Sequence, residues 1–352
     1  MSAQTNVFNM GGTRDPVTGI WTGQASLEFV TVGDAGNAAD TATGSHYGSV
    51  PYTYEMGKYD VTAAQYTAFL NAVAATDTYG LYNANMGSGC SACGIWRGGS
   101  SGSYSYSLMT PDSGNLPVNY VSWGDAARFC NWLQDGQPTG AEGSGTTETG
   151  AYTLIGATSK AALMAVTRNA GARYFIPTEN EWYKAAYYKG GGTNAGYWAY
   201  PTQSNTPPDN SWALAATEPN DANCYLNGYT YPGGGGNMTI VGEFVLSGNG
   251  GHTTPVGAFA ASPGPYGTYD MGGNLNQWNE TNVSGGRGMR GGSFGSDSVY
   301  LGSSHDSGCD PTLWGTDLGF RVACIPEPST FALLFVGGIG LLACAWRRQR
   351  VS

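Results

Sequence analysis

The feature that most constrains the fold is a stretch rich in glycine and side-chain amides, PGPYGTYDMGGNLNQWNET at 263–281, followed shortly by MRGGSFG at 289–295. Two adjacent glycines in the first stretch permit backbone conformations that other residues resist. Asn274, Asn276 and Gln277 then supply side-chain oxygens of the kind that calcium and other hard cations bind. The stretch therefore predicts either a loop built around a cation or an Asn/Gly-rich turn that holds no ion.

Composition indicates a loop-rich protein of the exported kind. Only 11% of the residues are charged, far fewer than in an average soluble domain, and Gly accounts for 56 of 352 residues, far more than average. The hydrophobic share of 41%, with ten Trp, is enough for a sizeable core in one large domain or two smaller ones. The formal net charge of -10 at pH 7 argues against nucleic acid as a partner, because no basic stripe exists to meet phosphates.

The seven cysteines and three histidines give no zinc-binding pattern. Cys90 and Cys93 form one C-x-x-C motif without a second, and the histidines lie far apart in the sequence. One or two disulfides formed in an oxidising compartment fit this usage better. The odd count leaves at least one thiol unpaired, most naturally Cys344 in the apolar tail.

Three segments share a helix-start signal, a hydroxyl residue followed three positions later by an acid or an amide. They are Thr62–Gln65, Ser122–Asp125 and Thr178–Glu181. Apolar residues follow each signal at helical spacing, so each helix is predicted to bury one face. Asp125 has the shortest of the three acid or amide side chains and should reach back to the cap amide less well.

Strand signals are shorter and are separated by Gly/Ser/Asn tracts typical of loops. Strands are predicted at Tyr52–Lys58, Val118–Val121, Tyr174–Ile176, Thr254–Phe259 and Gly319–Cys324. The predicted fold class is α+β with little regular secondary structure. We divide the chain into an N-terminal extension at 1–43, one domain at 44–324 and a tail at 325–352.

The tail contains seventeen uncharged residues at 330–346, TFALLFVGGIGLLACAW, before the basic cluster RRQR. As a helix they would span about 25 Å, near the lower limit for crossing a bilayer. We predict one C-terminal transmembrane helix with its basic end in the cytoplasm, rather than a buried helix, because the run is apolar all round. The first residues of the chain do not show a signal-peptide pattern, which an exported protein would need.

Five motifs follow one another in the chain: LPVNYVSWGDAARFCNWL, YFIPTENEWYKAAYYKGG, TTPVGAFAASPGPYGTYDMGGNLNQW, MRGGSF and LGFRVA. Together they resemble the formylglycine-generating, sulfatase-modifying-factor family over nearly all of 44–324. PEPS followed by the apolar run and the arginines resembles a PEP-CTERM sorting signal. The resemblance implies a formylglycine-generating-enzyme fold related to C-type lectins, bound calcium, export to the membrane or cell surface, and processing of the tail by an exosortase.

In the family's oxidising enzymes, a pair of cysteines after the RGGSF motif binds copper(I). In this sequence the two positions are Ser296 and Leu301, and neither supplies the sulfur that soft Cu(I) binds. Copper is therefore not expected, although Cys309 and His305 lie further along. Ser293 lines the substrate pocket in the enzymes, so Ser293, Ser296 and His305 are pocket candidates here.

The resemblance implies two calcium sites, each built from an Asn side chain and neighbouring carbonyls. The ligands carried over are Gly272, Asn274, Leu275 and Gln277 for one site, and Asn223 and Cys224 for the other. Gln277 replaces a glutamate of the family, which keeps an oxygen but removes a charge. The second site lacks its acidic ligand, since only Asn249 lies near the expected place.

The resemblance also implies a disulfide between Cys130, in FCNW, and Cys324, two residues beyond the family's position but on the same strand face. Trp278 follows the glycine turn, where it can either form the wall of a pocket or pack beneath the turn. Arg290 and Arg321 are expected to pair with carboxylates in the core.

Two functions compete at this point. The first is an exported, surface-sorted binding module for glycan or peptide, stabilised by calcium, and the missing cysteine pair favours it. The second is a divergent oxidase of the family acting on protein cysteine, which would need a redox metal or a nucleophile after RGGSF.

Overall fold

The computed structural model describes residues 5–10, 13–14, 21–22, 26–42, 46–88, 92–211, 217–226, 229–230 and 253–326. Its strands are β1 (Thr5–Phe8), β2 (Thr13–Arg14), β3 (Trp21–Thr22), β4 (Leu27–Val32), β5 (Tyr54–Gly57), β6 (Ile95–Gly98), β7 (Ser105–Leu108), β8 (Tyr174–Phe175), β9 (Tyr225–Leu226), β10 (Tyr229–Thr230), β11 (Asn276–Val283), β12 (Gly286–Arg290), β13 (Ser307–Cys309), β14 (Leu318–Gly319) and β15 (Ala323–Cys324). Its helices are α1 (Ala63–Val73), α2 (Asn85–Ser88), α3 (Trp123–Gln134), α4 (Lys160–Ala165), α5 (Glu179–Tyr187) and α6 (Ser298–Leu301), with a 3-10 turn at Asp112–Asn115.

The three predicted helix starts are confirmed as capping boxes at the first turns of α1, α3 and α5. In each, the hydroxyl accepts from the backbone amide three residues on, and the acid or amide accepts from the cap amide. The expectation that Asp125 would close its box less well is wrong. Asp125 Oδ2 accepts from both the amide and the hydroxyl of Ser122, at 2.8 and 2.7 Å.

Helices α1 and α3 meet in an aromatic core. Tyr66 and Phe69 of α1 pack on Phe129 and Trp132 of α3, and Phe320 closes the cluster, with ring centroids 5.3–6.5 Å apart. All five side chains are almost completely buried. Pairs of this geometry add about 0.5–1.5 kcal/mol each beyond the burial of their area.

A five-stranded antiparallel sheet, in the order β1-β4-β5-β15-β8, covers this core. The last of the described strands, β15, lies inside the sheet, where Ala323 faces Met56 on one side and Phe175 on the other. Strand β4 belongs to the predicted extension at 1–43, yet it pairs with β5 along four residue positions. The extension therefore contributes a strand to the same sheet as the predicted domain.

A second sheet, in the order β13-β12-β11-β14, carries the glycine- and amide-rich motifs. Its central hairpin β11–β12 is antiparallel, with a register shift between Trp278 and Asn282, and β14 runs parallel to β11. Gln277 and Asn279 on β11 are fully buried although they are polar. This sheet positions the candidate site.

The predicted fold class needs one correction, which concerns the membrane helix. Within the residues that the structure describes, no helix is long and apolar enough to cross a membrane. The predicted helix at 330–346 lies outside those residues. The described fold is therefore a mixture of small helices and sheets without a membrane-spanning element, and the fold class that included one is wrong.

The predicted disulfide between Cys130 and Cys324 is not formed, since both are free, buried thiols. Cys324 faces Glu55 across the sheet, and its Sγ donates to Glu55 Oε2 at 3.2 Å. Burial raises the pKa of both thiols well above the ordinary value. Cys93 is also free, and Cys90 lies outside the described residues.

Candidate functional site

The two motifs of the glycine-rich stretch meet directly in the structure. The amide of Gly273 donates to the Gly291 carbonyl at 2.9 Å, and the amide of Phe294 donates to the Asn274 carbonyl at 3.1 Å. Gly273 has φ +80°, and a Cβ there would overlap the Asn223 carbonyl. This position therefore requires glycine for both conformation and space.

Asn274 and Asn223, predicted as ligands of different calcium sites, lie side by side. Asn274 Oδ1 accepts from Asn223 Nδ2 at 3.1 Å and from the Thr254 amide at 3.0 Å, while its Nδ2 donates to the Thr254 carbonyl at 3.1 Å. Asn274 itself has φ +61°, a left-handed conformation that asparagine tolerates better than most residues. Its amide thus fastens three chain segments together.

The side-chain amide of Gln277 is likewise held by hydrogen bonds within the protein. Its Oε1 accepts from the indole of Trp182 at 2.7 Å and from Nε of Arg321 at 2.9 Å, and its Nε2 donates to the Asp270 carbonyl at 2.5 Å. Burial raises the pKa of Asp270 to about 6. Glutamine suits this position better than the family's glutamate. Its oxygen accepts from two N–H donors while its amide nitrogen donates a hydrogen bond, which an ionised carboxylate cannot do.

These arrangements do not fit the calcium sites implied by the resemblance. The side-chain oxygens of Asn274 and Gln277 already accept two N–H donors each, one of them from the Arg321 guanidinium. Leu275 is completely buried, and the Cys224 carbonyl accepts from Asn210 at 3.0 Å. Among the described residues, no cluster of three or more His, Cys, Asp or Glu side chains is placed to hold a metal. Calcium would have to displace hydrogen bonds without gaining a carboxylate.

Chelation should therefore leave the melting temperature of this domain unchanged to within about 2 °C. A calcium ion present at a hundred times its Kd would add about 2.7 kcal/mol, which corresponds to a shift of several degrees. Differential scanning calorimetry with EDTA, and then with excess calcium, measures the shift. A calcium-dependent rise of about 5 °C or more would contradict the hydrogen-bonded arrangement of Asn274 and Gln277.

The pocket candidates after RGGSF form a small polar network. Ser293 is buried, and its Oγ donates to Asp317 Oδ2 at 3.3 Å and lies 3.3 Å from Ser296 Oγ. Asn276 Nδ2 donates to the same Asp317 oxygen at 3.1 Å. Sequence reasoning did not identify Asp317, which follows the motif at a distance and carries no motif of its own. The hydroxyl of Ser296, at the family's first metal position, thus bonds to the hydroxyl of Ser293, which in turn bonds to a carboxylate.

The other copper-related positions, Leu301, His305 and Cys309, each have different contacts. Leu301 is fully buried, and its carbonyl accepts from the Tyr187 hydroxyl at 2.9 Å. His305 packs edge-on against Tyr300 at 4.6 Å, and burial together with Arg290 lowers the pKa of its imidazole. Burial raises the pKa of Cys309, which keeps its thiol protonated.

Trp278 belongs to the core beneath the turn. It is fully buried, and its indole donates to the Val121 carbonyl at 3.1 Å. It therefore does not form a pocket wall. Of the two predicted alternatives for Trp278, the structure shows the second, packing beneath the turn.

Arg290 pairs with a core carboxylate, as expected, and anchors the segment at 303–305. Its Nε donates to Glu179, and its Nη1 donates to the Ser303 carbonyl at 3.1 Å and to the His305 carbonyl. Burial raises the pKa of Glu179 even though Arg290 opposes the shift. The guanidinium also lies over the Tyr183 ring, 5.1 Å from its centroid.

A groove of about 590 Å³ lies beside this anchored segment. Its walls come from 38–42, 193–199 and 303–304, joined by Tyr188 and Asn205. Tyr197 and Trp198 supply aromatic surface. Sequence reasoning missed the groove, because its walls come from three separated segments with no shared motif.

Backbone and side-chain bonds hold the three walls in place. The Ala38 amide donates to the Thr193 carbonyl at 2.9 Å, and the Ser303 amide donates to the Ala199 carbonyl at 2.9 Å. The Tyr197 hydroxyl donates to the Ala38 carbonyl at 2.7 Å. Hydrogen bonds within the protein therefore hold the three walls of the groove together.

Several solved structures are similar to this chain at low identity. The crystal structure of CarF is 22% identical with a TM-score of 0.47, covering 86% of this chain and 99% of that one. The Treponema denticola variable protein 1 is 17% identical with a TM-score of 0.49, covering 92% and 99%. PvdO from Pseudomonas aeruginosa is 17% identical with a TM-score of 0.45, covering 87% and 97%. No curated protein matches the chain.

Family models match nearly the whole chain. A PEP-CTERM protein-sorting motif matches 325–349, which marks the protein as exported, sorted to the surface and processed by an exosortase-type system. The sulfatase-modifying factor enzyme 1-like domain matches 23–325, the part that carries the four-stranded sheet, the five-stranded sheet except for β1, the glycine turn and the groove. The chain belongs to the sulfatase-modifying factor enzyme 1-like domain family.

Proposed function

We propose that this protein is a surface-sorted binding module that holds a neutral glycan in the groove formed by 38–42, 193–199 and 303–304. The observation that carries the proposal is the groove itself. Its volume of about 590 Å³ lies within the range of about 300–1,000 Å³ typical of small-molecule sites. An extracellular polysaccharide presents short segments of matching size to a surface protein.

The chemistry of the walls suits sugars. Tyr197 and Trp198 line the groove, and Lys189 lies over the Trp198 ring, 4.6 Å from its centroid. The apolar ring surface that these neighbours leave uncovered can pack on the C–H groups of a sugar ring. Asn194 and Asn205 supply amide groups able to bond with sugar hydroxyls. This combination favours a polar, uncharged ligand over an apolar one.

The walls are also ordered before a ligand arrives. Asp40 accepts from the Tyr183 hydroxyl at 2.8 Å and from the Ala42 amide at 2.9 Å. Asn205 Oδ1 accepts from the Ala199 amide at 3.2 Å. A groove held in this way loses little conformational entropy when it binds, which is where preorganised sites gain affinity.

The oxidase alternative receives less support from the same structure. Ser296 and Leu301 stand at the two metal positions, and Cys309 keeps a raised thiol pKa because it is partly buried. Cu(I) prefers sulfur ligands, whereas Ser296 offers a hydroxyl that bonds to Ser293, whose own hydroxyl donates to Asp317. A binding role requires none of these residues to act as a nucleophile.

We expect Trp198→Ala to weaken glycan binding about tenfold or more, since truncating a central aromatic residue of a binding site commonly costs about 2 kcal/mol. The full-length protein would be screened on a glycan array, and Kd values would follow by calorimetry. Trp96→Ala is the matched control, because Trp96 is 56% exposed on β6, away from the groove. It should leave the Kd unchanged.

The outcomes separate the two functions. Equal affinities for Trp198→Ala and wild type would place the binding site outside the groove. A protein that binds no glycan but converts cysteine to formylglycine in a sulfatase-motif peptide with copper would overturn the binding proposal.

A further inference from the structure

The sequence contains three Asn-x-Ser/Thr sequons, at Asn237, Asn279 and Asn282. Such sequons accept N-linked glycans when they lie on the surface of an exported protein. Asn237 lies outside the described residues. The other two are only three positions apart on β11, yet the fold places them in opposite environments.

Asn279 is not accessible to a transferase in the folded protein. It is fully buried, and its Nδ2 donates to Glu179 Oε2. Its Oδ1 accepts from the Thr281 amide at 3.0 Å. The nitrogen that would carry a glycan is therefore occupied by a hydrogen bond to a buried carboxylate.

Asn282 stands at the exposed end of the β11–β12 hairpin. It faces Arg287 across the hairpin, and Val283 faces Gly286, so the turn is Ser284–Gly285. Both turn residues have positive φ, +50° and +81°, as a tight two-residue hairpin turn requires. Asn282 and Ser284 are both exposed. The acceptor amide and the hydroxyl of its sequon are thus presented together on a protruding turn.

A recess lies next to this asparagine. It has a volume of about 190 Å³ and is lined by Asn282 together with Tyr152, Arg168, Glu280 and Arg287, among others. Glu280 is fixed there by the Tyr152 hydroxyl at 2.8 Å and by Arg168 Nε at 3.0 Å. The partly exposed side chains of Arg168 and Glu280 beside the amide can hold the first sugar of an attached chain.

We propose that Asn282 is the acceptor of an N-linked glycan added after export. The donor class is an oligosaccharide carried on a lipid pyrophosphate, and an oligosaccharyltransferase supplies the catalysis. The Nδ2–C1 bond forms as the C1–O bond to pyrophosphate breaks. The leaving lipid pyrophosphate keeps the bonding electrons, and the amide proton passes to a base of the transferase. The proposal rests on export of the chain and not on the glycan-binding groove.

Peptide mass spectrometry on the full-length protein, isolated from the surface of the cells that naturally make it, tests the assignment. The peptide covering 279–287 should carry a glycan mass, with fragmentation locating it on Asn282. Asn282→Gln and Ser284→Ala should each abolish it. Thr281→Ala is the matched control, because it destroys the Asn279 sequon and leaves that of Asn282 intact.

Each result decides the matter. Thermal unfolding of every variant is compared with that of the wild type, so that a loss of glycan with the fold retained is distinguished from misfolding. An unmodified Asn282 in the surface-exposed protein, a glycan that survives in Ser284→Ala, or a glycan located on Asn279 would each overturn the proposal.

Discussion

Replacing Arg321 by leucine is expected to lower the free energy of unfolding by about 4 kcal/mol or more. Arg321 is completely buried and donates to the carbonyls of Gly57 and Tyr269, both at 2.7 Å, and to Gln277 Oε1 at 2.9 Å. It also pairs with Asp60 at 3.3 Å. Leucine would leave these buried acceptors without their donor. Chemical denaturation at pH 7 measures the loss.

The pH dependence of this loss provides an internal check. Burial raises the pKa of Asp60 to about 8, with Arg321 opposing the shift. Between pH 4 and 8 the unfolded Asp60 is ionised while the folded one keeps its proton, so stability falls as pH rises. Without Arg321 the folded pKa should rise further, and the fall should continue above pH 8. The deficit of Arg321→Leu should therefore be larger at pH 9 than at pH 6.

A small, pH-independent deficit would show that Asp60 does not depend on Arg321. The double variant Arg321→Leu with Asp60→Asn separates the charge from the lost hydrogen bonds. It should remove the pH dependence above pH 8 while most of the deficit remains.

The second large effect is expected for Glu179→Gln, at about 3–5 kcal/mol, because it leaves the buried guanidinium of Arg290 without its counter-charge. The side chains of Glu179 and Arg290 are only 2% and 1% exposed. Arg290 also fixes the carbonyls of Ser303 and His305, next to the groove. Denaturant unfolding should show the loss, and proteolysis near 303–305 should accelerate.

Lys160→Gln serves as the control for this pair. Lys160 lies 3.7 Å from Asp310 with side-chain exposures of 52% and 30%, so removing its charge should cost less than about 1 kcal/mol. Comparable losses for Glu179→Gln and Lys160→Gln would mean that burial does not strengthen the Glu179–Arg290 pair.

Local signals predicted the helices well. A capping box occupies four adjacent residues, so its donors and acceptors can be matched from sequence spacing alone. The buried positions of α1, including Tyr66, Phe69 and Val73, also follow from helical periodicity. The strands were harder to predict from the sequence, because most of them have only two to four residues, too few for an alternating pattern to develop.

The β11–β12 hairpin shows why the rest could not be predicted. The sequence of β11, Asn276–Val283, is mostly polar, and it therefore indicated an ion-binding turn rather than a strand. The structure buries Gln277 and Asn279 because distant side chains, Trp182 and Glu179, satisfy their amides. Such partners, about a hundred positions away in sequence, have no local signature. The groove has the same origin, since its walls come from three separate segments.

The interior position of β15 bears on when the protein can fold. Cys324 bonds to Glu55 across 269 sequence positions, so the five-stranded sheet stays open until the last strand has been synthesised. Contacts of such separation are slow to form because a long loop must close first. Pairing of the strand just before the sorting motif at 325–349 is therefore expected among the last steps in forming the sheet.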